Sequence, residues 1–439
     1  MASSFTNTLL LLLTSASVTA MASAPRHFPA GTRDVYIAAQ HGVRSDLLNN
    51  IAPLVERSIA AGEYPGAVIL AAHHGHIIYR GVFGNRRLTP APVPMRFNTV
   101  FDVASLTKVL ATTPAVMQLV EASKLDLDAP VALYWPAFAQ NGKAGITVRE
   151  LLTHTSGLEP DLPINDDKIV GAKYAYEQIE KLKPDHPPGS MFVYSDINFI
   201  TLGYLIERVT GQNLETYARQ HIFKVLGMKD TTYLPTASLH DRIAPTASNN
   251  KLRWGEVNDP TTWAMNGVSG AAGVFSDAND VSLYLQCLLD GGRIASHGKT
   301  SKKGDNYLLG PLTVLKMTTP QTVASLPEVR GLGWDIDSPY TNRGVLFPMR
   351  SFGHTGWTGT SVWVDPVTQT WVIILTSRTY PMPAAANKLI TDRREIANII
   401  AASITDIKTA SETNTGAGEL MRAYRTTENS SHSHKDSHS

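Results

Sequence analysis

Three short groups of residues carry side chains that could perform nucleophilic chemistry. Ser105 and Lys108 lie three apart in Phe101-Asp102-Val103-Ala104-Ser105-Leu106-Thr107-Lys108-Val109-Leu110, where an extended apolar stretch passes into a helical pattern. Positions i and i+3 share a helix face, so the spacing predicts the hydroxyl and the amine side by side. A serine hydroxyl is a poor nucleophile until a base takes its proton. An amine beside the positive end of a helix, which disfavours its ammonium form, is predicted to be that base. Tyr194-Ser195-Asp196 follows Pro187-Pro188-Gly189 and precedes the periodic run Asn198, Phe199, Leu202, Gly203, Leu205, Ile206, Val209, so a loop delivers a phenol and a carboxylate at a helix start. His354-Thr355-Gly356 lies in Ser351-Phe352-Gly353-His354-Thr355-Gly356-Trp357-Thr358-Gly359, with strand-like runs at 360–365 and 370–377 after it. Small residues on a strand let a substrate approach the backbone.

Spacing alone does not single out Ser105, because S-x-x-K is short enough to be expected roughly once by chance in a chain of this size. Ser296-His297-Gly298-Lys299 has the same spacing in a Gly- and Lys-rich stretch without helical periodicity, where nothing would hold the pair together. Gly267-Val268-Ser269-Gly270-Ala271 nearly matches a nucleophile elbow, which needs a strand before it; Pro260-Thr261-Thr262-Trp263-Ala264-Met265-Asn266 is a poor strand, and close glycine packing is the reading preferred there. His154 reads as a helix-end residue. Pro114, nine residues after Ser105, is expected to kink or end the helix.

In this order the three groups resemble the motifs of the serine β-lactamase and penicillin-binding protein superfamily, and tyrosine in the second group resembles the class C branch. The resemblance runs from about residue 45 to about residue 405 and includes Leu151-Leu152-Thr153-His154-Thr155-Ser156-Gly157-Leu158 and Gly267-Val268-Ser269-Gly270-Ala271-Ala272-Gly273-Val274-Phe275-Ser276. The segment from Gly255 through Phe275 is similar to penicillin-binding protein 4B-like carboxypeptidases and muramyl-alanine amidases. The resemblance implies an α+β fold of β-lactamase/transpeptidase type, an antiparallel sheet flanked by helices with an all-helical lobe at about 115–255. It implies an acyl-enzyme on Ser105, with Lys108 and Tyr194 sharing proton transfer. Asp196, His354, Thr355, Gly356 and Trp357 would contact substrate, and the N–H groups of Ser105 and Trp357 would form the oxyanion hole. No cofactor and no metal is expected. The implied reaction is hydrolysis of an amide or ester, of carboxypeptidase or amidase type on a peptidoglycan-derived peptide. A class C-like esterase or β-lactamase, or a penicillin-recognising sensor with little turnover, remains an alternative.

Two departures bear on substrate. Asp196 stands where asparagine is usual and His354 where lysine is usual, so the cleft is about one to two charges more negative. Substrate carboxylates are expected to bind less well, unless Asp196 pairs with a protonated His354. Relatives in the subgroup also carry histidines where this chain has Asn258 and Ala271.

The elements fit an exported globular enzyme. The 439 residues are 43% hydrophobic and 18% charged with a net charge of +1, enough for a large core and no reason to expect nucleic acid as a partner. Leu9 to Leu13 form an apolar run followed by small-residue sites at Ala20, Ala22 and Ala24, which reads as a signal peptide over 1–24 despite lacking a positive n-region, and implies a secreted or periplasmic protein with no membrane-spanning segment after cleavage. The hydrolase domain is expected over 33–408. Leu47 to Ala61 reads as an amphipathic helix, 66–72 and 76–83 as a hairpin with His73-His74-Gly75 at its turn, and 386–404 as a closing helix. The two histidines read as turn residues, since no carboxylate or cysteine has matching spacing. Cys287 reads as a core residue, and the polar, His-containing stretch 409–439 as a disordered tail.

Overall fold

Gly66-Ala67-Val68-Ile69-Leu70-Ala71-Ala72-His73 offers water no polar face, and it forms the strand β1 (Gly66–His73), buried at every position. Such a strand must be covered on both sides. Alternation decides which core each residue enters. Val68, Leu70 and Ala72 join the large core shared with the helical region, while Ala67, Ile69 and Ala71 join a second core on the opposite face. This computed structural model describes residues 41–164, 167–295, 306–381 and 388–407. The expected signal peptide, the serine at 296 and the polar tail lie outside the described residues.

The other strands are β2 (His76–Arg87), β3 (Val93–Pro94), β4 (Phe101–Asp102), β5 (Thr246–Ser248), β6 (Lys251–Arg253), β7 (Phe275–Ser276), β8 (Val329–Arg330), β9 (Asp335–Asp337), β10 (Phe352–Thr355), β11 (Ser361–Asp365) and β12 (Thr370–Thr376). Eight of them form one sheet in the order β3-β2-β1-β12-β11-β10-β9-β8, with antiparallel neighbours throughout. The register Ile69↔Ile374, Ile373↔Val362, Val362↔His354 carries His354 to within three strands of β1. The pairs β4–β7 and β5–β6 are separate.

Helix Ile51–Ala60 buries Ile51, Leu54, Val55 and Ser58, one stripe at i, i+3, i+4 and i+7. The expected helix over 47–61 is in fact divided, with Ser45–Leu48 ahead of Asn49-Asn50, residues of low helix propensity. Helix Lys388–Ser403 covers the same sheet face through Ile396 and Ile400, and Tyr64 Oη donates to Asp392 Oδ2 at 2.9 Å beneath it. On the other face the segment between β4 and β5 is helical, including Thr113–Glu121, Val148–Leu152, Ala172–Lys181 and Asp196–Thr210. Cys287 lies in helix Ala278–Leu289, 3% exposed, its thiol pushed up to about 12 chiefly by burial, as a core residue. The architecture is the α+β arrangement expected from the sequence, an antiparallel sheet flanked by helices. No helix among the described residues is long and apolar enough to cross a membrane.

Candidate active site

The serine turn begins where β4 ends. Asp102 is buried, and its carboxylate accepts from Ala104 N at 2.8 Å and Asn258 N at 2.6 Å. Burial pushes it up to about 7 against the pull of those two donors. Ala104 has φ +47°, an uncommon left-handed conformation for a residue with a side chain, immediately before Ser105. Ser105 then lies in the short 3-10 turn Ala104–Leu106, Lys108 opens a π-helical turn over Lys108–Thr112, and the α-helix proper begins at Thr113. The sequence predicts one helix broken at Pro114. Instead Pro114 occupies the first turn of the α-helix, where a missing N–H and a fixed φ are favourable, and the π turn absorbs the change in phase.

Lys108 is fully buried, and its Nζ donates to Ser105 Oγ at 3.1 Å and to Ala271 O at 3.0 Å. The same nitrogen lies 2.6 Å from Asp196 Oδ1. Burial works against the charge, but Asp196, followed by Tyr194, outweighs it and holds the ammonium above the ordinary lysine range. This corrects the expectation that a helix N-terminus disfavours the protonated form: a carboxylate in direct contact is stronger than a partial dipole. Burial raises the Tyr194 phenol, with Lys108 opposing, and the Lys108 ammonium lies 5.1 Å from the centre of the phenol ring. At rest the site therefore holds an ammonium, a carboxylate and a neutral phenol around one hydroxyl.

Helix Asp196–Thr210 sets the second group. Ser195 caps it, accepting from Asn198 N at 3.4 Å and donating to Glu159 O at 2.6 Å. Asp196 thus falls in the first turn, where the helix favours a carboxylate. A Cβ on Gly203 would come within 2.9 Å of Gly270 N, and one on Gly270 within 2.0 Å of Phe199 O. The glycines let the 267–273 loop lie against this helix, which brings Ala271 O onto Lys108. Close packing is the role of that block. Ser269 is buried with its Oγ accepting from Ala271 N at 3.1 Å.

His354 on β10 is 4% exposed, and its Nδ1 faces Thr355 O at 2.9 Å while Nε2 has no hydrogen-bond partner. Burial first, then Arg330 and Lys108, holds it well below the ordinary histidine range. That favours the neutral ring, so the alternative of a pair between Asp196 and a protonated His354 does not arise, and Asp196 joins Lys108 instead. The turn after β10 lies against the serine loop. Thr358 Oγ1 donates to Asp102 O at 2.8 Å, Thr360 Oγ1 donates to Val103 O at 2.9 Å, and a Cβ on Gly356 would sit 2.5 Å from Val103 O. Trp357, on that turn, is exposed.

Sequence reading missed several residues. His154, at φ +58° after helix Val148–Leu152, is the expected helix-end residue, but its ring also stacks on Tyr194 at 4.4 Å and its Nδ1 accepts from Ser195 N at 3.0 Å, so it orients the phenol. Arg393 is buried and donates through Nη2 to Thr360 O at 2.8 Å, anchoring the Trp357 turn from the closing helix. Arg378 stacks on Trp357 at 4.5 Å and donates to its carbonyl at 2.8 Å. Near Asp196, Asp161 is pushed up to about 6 by burial, Asp196 and Asp259. Only the Leu-Leu-Thr-His-Thr-Ser-Gly block signalled one of them; the others are distant in sequence and follow no spacing. Asn258 supports Asp102, and Ala271 offers only its carbonyl, so both histidine-replacing positions lie within one contact of the serine turn. A cavity of about 210 Å³ is lined by Leu234, Trp263 and Gly267 among others, but by none of Ser105, Lys108 or Tyr194.

Comparison with known proteins gives the family and the fold. The family model described as Beta-lactamase matches residues 49–395. The chain is 30% identical over 385 residues to an Escherichia coli (strain K12) protein named "Putative D-alanyl-D-alanine carboxypeptidase", covering 79% of this chain and 86% of that one. Among solved structures it is similar to a penicillin-binding protein homologue from Caulobacter crescentus (TM-score 0.63, 25% identity, 82% of this chain and 98% of that one). It is also similar in fold to a class C β-lactamase (TM-score 0.64, 20% identity, 81% and 96%). The chain belongs to the β-lactamase family.

Proposed function

We propose that this hydrolase-family chain is an exported serine hydrolase that cleaves an amide or ester, of carboxypeptidase or amidase type on a peptidoglycan-derived peptide, through an acyl-enzyme on Ser105. The observation that carries the reading is the placement of Lys108 Nζ between Ser105 Oγ at 3.1 Å and Asp196 Oδ1 at 2.6 Å. Because Lys108 rests as an ammonium, the base arises in the complex. One Lys108 proton passes to Asp196, leaving a neutral amine that takes the Ser105 proton as Oγ attacks the carbonyl carbon. Tyr194 delivers a proton to the leaving nitrogen or oxygen. The N–H groups of Ser105 and Trp357 receive the developing oxyanion. Lys108 then re-protonates Tyr194 and is an amine again; it deprotonates the water that attacks the acyl carbon, its ammonium protonates Ser105 Oγ as the acid leaves, and Asp196 returns its proton to Lys108.

The substrate reading rests on charge. Asp196 and its acidic neighbours Asp161 and Asp259, with a neutral His354 in place of a fixed cation, favour substrates without a carboxylate next to the cleaved bond. Uncharged esters and internal amides are thus preferred over penicillins and peptides ending in free D-alanine, so of the two proposed types the amidase is favoured over the carboxypeptidase. The decisive experiment is peptide mapping after labelling with a fluorophosphonate and with a fluorescent penicillin. A single adduct on Ser105 supports the mechanism, and an adduct on Ser269, or none on folded protein, overturns it. Assays with a neutral short-chain ester, a chromogenic cephalosporin and muropeptides then rank the substrates. His354→Lys should move selectivity toward carboxylate-bearing substrates, and unchanged selectivity refutes the charge argument.

A further inference from the structure

His73 and His74 lie at the β1–β2 hairpin, where no residue nearby in sequence could complete a metal site. The fold supplies one from the far end of the chain. Beyond helix Lys388–Ser403, Thr405 N donates to Gly42 O at 2.7 Å, and this returns Asp406 to the hairpin. Gly42 makes room for it: a Cβ there would lie 2.5 Å from Asp406 Cβ, and its φ of +69° also suits glycine. As a result Asp406 Oδ1 stands 2.9 Å from His73 Nε2, and Oδ2 stands 3.5 Å from His74 Nε2. One ligand atom from each of the three residues falls within 4.8 Å of the other two.

Hydrogen-bond counting shows what the first contact needs. His73 is buried and its Nδ1 faces Thr370 Oγ1 at 2.9 Å, its partner across the β1–β12 register. Where Thr370 gives its own hydroxyl proton to Thr368 O, at 3.1 Å, it accepts from His73 and the ring proton sits on Nδ1. Nε2 then points a lone pair at a carboxylate oxygen. In that tautomer the two facing acceptors require a cation between them, and a ring fixed by a hydrogen bond through its other nitrogen is the arrangement found for metal-bound histidine. Ligand atoms around a tetrahedral Zn²⁺ with bonds of about 2.0–2.1 Å are roughly 3.3 Å apart, which lies between the two observed separations.

We propose that His73, His74 and Asp406 form a site for a divalent transition-metal ion of the Zn²⁺ class, which clips the segment after helix Lys388–Ser403 to the β1–β2 hairpin. The two imidazoles and one carboxylate suit such an ion better than Mg²⁺ or Ca²⁺, which take oxygen ligands. His74 and Asp406 are partly exposed, so the ion has an entry path and room for water as its fourth ligand. The site is remote in sequence from Ser105, and the proposal stands apart from the hydrolase reading.

The test uses the full chain with His432, His434 and His438 replaced by alanine, so that the tail imidazoles do not contribute. After chelator treatment, zinc is titrated against a chromogenic chelator, and thermal unfolding is followed with and without the metal. One zinc per chain and a raised Tm are expected. His74→Ala and Asp406→Asn, both at accessible side chains, should each weaken binding by at least about tenfold and abolish most of the Tm rise, while ester hydrolysis without zinc stays the same. Absence of stoichiometric binding, or equal affinity in the two variants, overturns the proposal and leaves a proton as the cation between His73 and Asp406.

Discussion

Asp196→Asn restores the residue usual in the family and tests whether the carboxylate controls Lys108. At 2.6 Å the attraction between the two charges is about 6 kcal/mol at an effective dielectric of 20 and about 1.6 kcal/mol at 80. Removing it shifts the ammonium–amine equilibrium of Lys108 toward the amine by a factor of roughly 10 to more than 10⁴. The variant also loses the internal acceptor for the Lys108 proton, so only the fraction of enzyme already holding the amine can react. At pH 7 kcat/KM is expected to fall roughly 10²–10⁴-fold. The loss should be recovered at about tenfold per pH unit as pH rises, because deprotonation by solvent replaces transfer to Asp196. The assay is the pH profile of kcat/KM for a neutral ester in parent and variant, alongside Tm. The native value of Lys108 is raised above the unfolded one, so its stabilising contribution is fully present at neutral pH and is lost only as pH rises through the native value. The variant should therefore melt lower at pH 7. Unchanged activity at pH 7, or a loss that higher pH does not recover, refutes the proton path.

Tyr194→Phe should lower kcat roughly 10²–10⁴-fold with an unchanged Tm, and a loss under tenfold would leave proton transfer to Lys108 alone. Arg393→Met removes the buried donor to Thr360 O and should cost about 1.5–3 kcal/mol in urea unfolding while lowering kcat through the Trp357 turn; unaltered stability would show that this anchor is dispensable. His354→Gln tests the buried neutral imidazole. Its native value lies well below the unfolded value of about 6.5, so the unfolded chain binds the extra proton and parent stability falls by about 1.4 kcal/mol per pH unit below that point. Asp102 and Asp277, both pushed up to about 7, act in the opposite sense, so the quantity to follow is the difference between parent and variant. That difference should shrink as pH falls from 7 to 5, and a constant difference contradicts a neutral His354.

What the sequence made legible follows from the range of the forces involved. The β1–β2 hairpin, strands β11 and β12 and the closing helix are written in local periodicity, and each forms within a few residues of its expected span. Ser105 and Lys108 were legible because a turn of helix fixes their relation whatever surrounds them. The protonation state of Lys108 was not, since it depends on a carboxylate 88 positions away that only the packing of helix Asp196–Thr210 brings to 2.6 Å. The same holds for His154 under Tyr194 and Arg393 behind the Trp357 turn, where the functional partner lies on a different element. Pro114 shows the converse. A local rule predicted a break, and the chain met it by changing helix type between Lys108 and Thr113, which leaves the Ser–Lys turn intact and places the proline where its missing N–H does no harm. The motifs thus mark the candidate groups, while their charge states are set by contacts between elements. On the proposed mechanism, the residue exchanged at 196 therefore alters the chemistry through Lys108 before it alters the fit of any substrate.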